Sequence, residues 1–423
     1  NVRLNDFSKF GVWPDGYYMS TEEFLGSDFS GNGVFAFDRA KMLVGDPSAG
    51  FIYFSIPGAS ADRRGGFLPS DMDGLTPPPA NTPNTFASYS ATEYGDASDA
   101  IRLFDFHTDF SDPTLSTFSE RPESPLEVFA FDPTSLPGRA DIGQPAPGAP
   151  LDSNSDRLMY RVAYRNFGSY ESLILNQTVR IKPQATPYRA GVRVYWLRRS
   201  GSAYSVDEQS TIGDAESSRW IGSAAEDGQG DLAVGYNFVS DEKVPSLVYA
   251  GKLAGDALGV FRTETPLVGG TGVQTAFGFR WGDWSGMSVD PEDDCTFWMT
   301  GEYFTAESQA FSDFTWLTRI GRFKFAECAP QQRGRLVVSV IGDGTGQPIE
   351  AASVRISFDG GGLAPYFRQT QSGGNTEAIL LSPGTYSVAV DAEGFRSDIV
   401  QAVISSDTGV PATLLVRLQP TPL

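Results

Sequence analysis

At 423 residues the chain is too long for one ordinary core, so two or more domains, or one large repeat domain with an added module, are expected. Its 52 Asp and Glu against 32 Lys and Arg, a net charge of -20, exclude a surface built to neutralise phosphate backbones and disfavour anionic membranes. With 46 Gly, 28 Pro and 13% aromatic residues, the composition fits many short aromatic strands joined by tight turns, and no stretch reaches the roughly eighteen apolar residues of a membrane span.

In chain order, Asn1 opens on polar sequence with no recognisable signal peptide, which reads as a mature or trimmed product. Strand-like runs follow at 16–20, 34–37, 51–54, 101–106, 158–164, 171–179, 191–197, 232–238, 247–249, 281–287, 296–303 and 315–325. No amphipathic helical period lasts beyond about three turns, so the fold class is all-β. Residues 57–85, with Pro77-Pro78-Pro79, and 133–156, with Pro145, Pro147 and Pro150, read as long loops of the kind that carry binding surfaces.

The most informative stretch is 280–303, RWGDWSGMSVDPEDDCTFWMTGEY. An aromatic strand, the acidic turn Asp290-Pro291-Glu292-Asp293-Asp294 and a second aromatic run predict an antiparallel hairpin. Weaker versions recur, as in Trp13-Pro14-Asp15-Gly16-Tyr17-Tyr18 and in 227–236. Repeated four-stranded units of this kind predict a β-propeller, with a large β-sandwich as the second choice because period-2 alternation is not clean.

After Cys328 the character changes. Residues 329–334 read as a linker, and 335–423 as a compact β-sandwich with clean alternation and a glycine at each turn. That module holds 5 basic and 8 acidic residues, so the first 334 residues carry most of the negative charge. The two cysteines, Cys295 and Cys328, read as one disulfide formed in an oxidising compartment; two buried thiols are the alternative.

The module resembles the carboxypeptidase regulatory-like, transthyretin-like domain through DGTGQPIEAASV (343–354) and LSPGTYSVAVDAEGF (381–395). That resemblance implies an accessory or spacer without catalytic residues. Residues 7–328 resemble a family of secreted bacterial β-propeller proteins of poorly defined function. The matching segments are FGVWPDGYYMS (10–20), FAFDRAKMLVGD (35–46), LPSDMDGLTPPP (68–79), YRNFGSYESLILNQTV (164–179), RWIGSAAEDGQGDLAVGY (219–236) and 280–303. Where that family often has His, this chain has Tyr170 and Gln177. The resemblance also implies an upstream segment that forms the first blades, so the ring is expected to be completed by an upstream fragment or a second subunit.

Chemistry is sparse. His107 is the sole histidine, which removes Ser-His-Asp hydrolases and most zinc enzymes; it reads as a strand residue. Asp71-Met72-Asp73-Gly74 has the spacing of a loop that wraps calcium, making Asp71 and Asp73 the candidate metal ligands; Asp227 and Asp231 offer a weaker version. Solvated turn acids are the alternative in both places. Asp15, Asp283 and Glu302 lie beside Trp13, Trp284 and Tyr303 and are the candidate acids of a glycosidase, which needs two carboxylates about 5 Å or 6.5–9.5 Å apart. Their alternative role is to end blades as turn residues. Residues 288–290 and 296–298 are similar to a broken aspartate box, Asn176-Gln177-Thr178 is a sequon, and no phosphate loop, dinucleotide fingerprint or nucleophile elbow is present.

The expected function is therefore a non-catalytic binding or scaffold protein, secreted or on the bacterial cell surface, that recognises a glycan, a matrix or a protein partner. It requires no cofactor, with calcium the one cation its loops would suit, and it involves no nucleic acid and no membrane insertion. A carbohydrate-active enzyme and a structural subunit of an extracellular assembly are the alternatives.

Overall fold

The computed structural model describes residues 3–58, 66–181, 187–275, 280–311, 315–330, 333–406 and 410–421. Strands dominate. The only α-helices among the described residues are α1 (Arg39–Leu43) and α2 (Ala306–Phe311), and no helix is long and apolar enough to cross a membrane.

The first sheet is antiparallel, β1 (Leu4–Val12), β2 (Gly16–Leu25), β3 (Asp28–Asp38) and β4 (Phe51–Pro57) in order. The second runs β5 (Leu68–Asp73), β6 (Asn84–Ser90), β7 (Ala100–His107) and β8 (Thr117–Glu120), with β9 (Leu126–Glu127) on β7. The third runs β10 (Leu158–Asn166), β11 (Glu171–Arg180), β12 (Ala190–Arg199) and β13 (Tyr204–Ile212). A parallel pairing of β5 with β10, from Ser70↔Val162 to Asp73↔Arg165, joins these two sheets edge to edge. The fourth holds β14 (Ser217–Glu226), β15 (Leu232–Ser240), β16 (Ser246–Lys252) and β17 (Thr265–Val268). The fifth holds β18 (Gly286–Val289), β19 (Phe297–Tyr303) and β20 (Leu317–Phe323).

Two expectations change. The tract 57–85 is not wholly a loop, because it contains β5. The hairpin of 280–303 forms, with Val289 opposite Phe297, but its first strand starts only at Gly286. Trp281 lies ahead of the strand and is buried against Trp220 and Phe304, at ring separations of 5.7 Å from each.

Successive sheets pack through apolar faces. Tyr18 and Val34 of the first, Phe86 and Leu103 of the second, and Val162 and Tyr195 of the third share one core. Ile174 and Trp196 of the third meet Val234 and Tyr236 of the fourth. Ala225 and Ala233 of the fourth meet Met287 and Met299 of the fifth. The opening strands β1, β5, β10, β14 and β18 lie side by side in that order. Cys295 and Cys328 are joined, with Cα atoms 5.7 Å apart, tying the start of β19 to the chain beyond β20.

The remaining residues form two facing sheets. One is ordered β24-β21-β27, from β21 (Gly334–Gly342), β24 (Ile379–Leu381) and β27 (Ala412–Leu418). The other is ordered β23-β22-β25-β26, from β22 (Ser353–Phe358), β23 (Tyr366–Gln369), β25 (Gly384–Asp391) and β26 (Asp398–Ile404). Their alternating side chains, Val338, Val340, Val354, Ile356, Val388 and Val390 among them, build a separate core. The Pro77–Pro79 tract receives this sandwich: Pro79 bridges Leu363, and the Ala80 and Ala364 amides donate to the Gly362 and Pro78 carbonyls at 3.0 and 3.1 Å.

Candidate functional site

Two polar clusters lie where the opening strands converge. The first is made by β10. Arg161 and Arg165 stand four residues apart on a strand, hence on one face, and both are nearly fully buried. The Arg161 guanidinium donates to the Met287 carbonyl at 2.8 Å and to Asp71 Oδ2 at 3.1 Å, and it pairs with Asp73. Arg165 forks onto both oxygens of Asp294 at 2.8 and 2.9 Å and donates to the Glu226 carbonyl at 2.9 Å. Asp71 and Asp73, expected as calcium ligands in a loop, are thus placed on β5 with their carboxylates on Arg161. Burial pushes the Asp73 carboxyl up, opposed by the two guanidinium charges. No group of three or more metal-ligating side chains occurs among the described residues.

Asp227 and Asp231 serve the β14–β15 turn. Asp227 Oδ1 accepts from the Gln229 and Asp231 amides at 2.8 and 3.0 Å, and Asp231 accepts from the Ala254 amide at 2.8 Å. Burial pushes both Asp227 and its neighbour Glu226 up to about 7.

The second cluster is the seam between the first and fifth sheets. Lys9 on β1 is 2% exposed, and its ammonium lies 3.5 Å from the Phe7 ring centroid and 3.2 Å from that of Trp284. Phe7 adopts φ 50° at a bulge in β1, which turns its ring toward both Lys9 and Arg157. Arg157 in turn pairs with Glu22 at 3.2 Å and Asp156 at 3.0 Å, and Arg139 bonds Asp156 at 2.8 Å. Burial pushes the Lys9 amine down to about 7.

Asp283 and Glu302 border this seam. Asp283 accepts from Asn154 Nδ2 and the Arg280 guanidinium, each at 3.1 Å. Glu302 is buried, accepts from the Gly282 amide at 2.9 Å, and is pushed up to about 7 by burial. A Cβ on Gly282 would collide with that carboxylate, so the glycine is what admits Glu302. Asp15 is held elsewhere, by the Tyr18 hydroxyl at 3.1 Å and Thr108 Oγ1 at 2.9 Å. The structure therefore brings Glu302 onto the Gly282 amide beside Asp283 and leaves Asp15 between Tyr18 of the first sheet and Thr108 beyond β7. His107 is exposed at the end of β7.

Sequence reasoning passed over Lys9, Arg161 and Arg165. The signal for the arginines was there: charges at i and i+4 in the otherwise apolar run LMYRVAYRN fall on one side of a strand.

No family model matches the chain, and no curated protein matches it. Solved structures similar to it include a protein of unknown function from Dyadobacter fermentans DSM 18053, at 10% identity and TM-score 0.33 over 96% of this chain and 95% of that one. The α-L-arabinanase of Penicillium chrysogenum complexed with arabinobiose is similar at 9% identity and TM-score 0.34 over 90% and 98%. A subtype N10 neuraminidase-like protein of A/little yellow-shouldered bat/Guatemala/060/2010 is similar at 9% and 0.33 over 96% of each chain. Likeness at this level carries no argument about chemistry.

Proposed function

We propose that the chain is a non-catalytic binding or scaffold protein, working outside the cell or at its surface. In this reading five sheets act as blades of a β-propeller, and the sandwich is an accessory, carboxypeptidase regulatory-like module. One observation carries the reading: the acids a hydrolase would use are committed to the fold, while large apolar side chains stand exposed. Asp15 is held by Tyr18 and Thr108, Asp283 by Asn154 and Arg280, and Glu302 by the Gly282 amide. Phe10, Phe51, Trp284 and Ile320 are 49%, 61%, 52% and 69% exposed. The disulfide agrees with an oxidising compartment.

A specific observation favours glycoside hydrolysis as the second reading: Glu302, held up near neutrality, next to Asp283 and the exposed Trp284. The test is to incubate the purified chain with a panel of oligosaccharides and with cell-surface matrix. Retention without new reducing ends is expected. Release of reducing ends that disappears in Glu302→Gln would overturn the binding reading in favour of the hydrolase.

A further inference from the structure

The sandwich meets the rest of the chain in two places of different character. Along residues 78–80 the contacts are backbone hydrogen bonds, joined by the Tyr366 hydroxyl, which donates to the Leu75 carbonyl. Beside them, α1 and the outer face of β22 and β25 enclose a cavity of about 450 Å³. That volume lies within the roughly 300–1,000 Å³ of small-molecule sites, which favour domain junctions.

Strand register builds the floor. Val354 and Ile356 of β22 enter the sandwich core, so Ser353 and Arg355 point the other way. Cross-strand partners continue the Arg355 row: Phe367 and Ala389 flank it, and Ile399 stands next to Ala389, 69% exposed. Leu43 and Val44 of α1 line the facing wall. At the β23 end, Gln369 Nε2 comes within 3.5 Å of the Val44 carbonyl. Both β22 and β25 are paired along each edge, so the floor offers no free backbone for an added strand. An occupant is held by side chains, which suits a small molecule better than a polypeptide segment.

Charge sets the sign of that molecule. The acids at the β25–β26 end are already engaged, Asp391 by the Ser397 hydroxyl at 2.5 Å and Asp398 by the Ile399 amide at 2.9 Å. Arg355 has neither an ion pair nor a hydrogen bond among the described residues, although Arg161, Arg165 and Arg219 each hold a carboxylate. Lys41 lines the cavity from α1 and keeps Asp38 only at 3.6 Å. Arg368, at the β23 edge, donates to the Phe367 carbonyl at 2.8 Å and has no carboxylate within ion-pair distance among the described residues. Burial pushes its guanidinium down and the Arg39 charge acts the same way, with Glu377 opposing. In a chain of net charge -20, this is a local surplus of positive charge beside an apolar floor.

We propose that the cavity binds a small amphipathic anion, its apolar body over Phe367, Ala389 and Ile399 and a carboxylate head on Arg355 and Lys41. Guanidinium and carboxylate match in geometry as well as charge. The two acids at the far end and the overall charge favour a monoanion over a phosphate. The inference is independent of the binding reading above, because it uses none of the groups in the two polar clusters.

The test is isothermal titration of the full chain with decanoate, with decylammonium and acetate as controls that keep only the tail or only the head. One decanoate should bind per chain, and neither control should. Arg355→Glu, at an exposed position, should weaken decanoate about ten-fold, and Arg355→Lys should weaken it less. Ala389→Trp fills the floor while leaving every charge in place, and it should abolish binding with the circular dichroism unchanged. Equal binding of decylammonium would overturn the assignment of an anion. Undiminished decanoate binding in both Arg355→Glu and Ala389→Trp would put the probe on another apolar surface and overturn the site. A parent chain that binds no decanoate would end the proposal.

Discussion

Lys9 and Glu302 are both buried ionisable groups near the seam, yet their pH dependences have opposite signs. The Lys9 amine falls to about 7 from its ordinary 10.5, so between those values the unfolded chain holds more protons and stability rises with pH. Glu302 rises to about 7 from 4.5, so its contribution is complete below pH 4.5 and is lost as pH climbs through 7. Glu226 and Asp227, raised by burial to the same value, add to the falling limb. Denaturant titrations should therefore find a stability trough near pH 7. Lys9→Met should flatten the alkaline limb and Glu302→Gln part of the acid limb, each by on the order of 2 kcal/mol. A bell with its maximum at neutrality would contradict this. Arg165 supplies the sharper test. Removing a guanidinium that satisfies a buried Asp294 strands the carboxylate, and Arg165→Ala should cost about 3–5 kcal/mol in urea unfolding. A loss below about 1 kcal/mol would mean that water or Arg333 takes its place.

At the level of elements, face-to-face packing should show in paired substitutions. Gly235→Ala pushes a methyl into Met299 and should cost about 1–3 kcal/mol, much of it recovered when Met299→Ala is added. Additive losses would show that the two sheets do not interlock there. Aromatic strands were legible in the sequence because β3, β7, β10 and β19 announce themselves by composition. β14 was not, since SSRWIGSAAE is small and polar; it is a strand because its small side chains let the fourth and fifth sheets close together. β5 hid in a Pro- and Asp-rich tract because its carboxylates answer Arg161, a partner 88 residues away that no local pattern shows. The same distance problem concealed the seam. Lys9 acquires its environment from Trp284, and only the folded chain brings them together. The cysteine pair was readable because just one pairing exists.

For the molecule as a whole, covalent closure should matter most where the fifth sheet, only three strands wide, ends the series. Cys328→Ser opens a loop spanning 33 positions and should lower stability by about 3–4 kcal/mol, measured against the oxidised parent. An unchanged midpoint would show that the unfolded chain is already constrained there. The position of that bond also decides how load travels. β20 is an edge strand, and a pull on the sandwich through residues 329–334 would ordinarily unzip it from β19 one hydrogen bond at a time. Cys328 follows β20 and Cys295 precedes β19, so tension bypasses the edge and enters at the base of the middle strand. If the sandwich is tethered to a surface while the sheets grip a partner, the chain behaves as a strap riveted at its weakest hem. Reduction would turn a joint that must be sheared into one that peels.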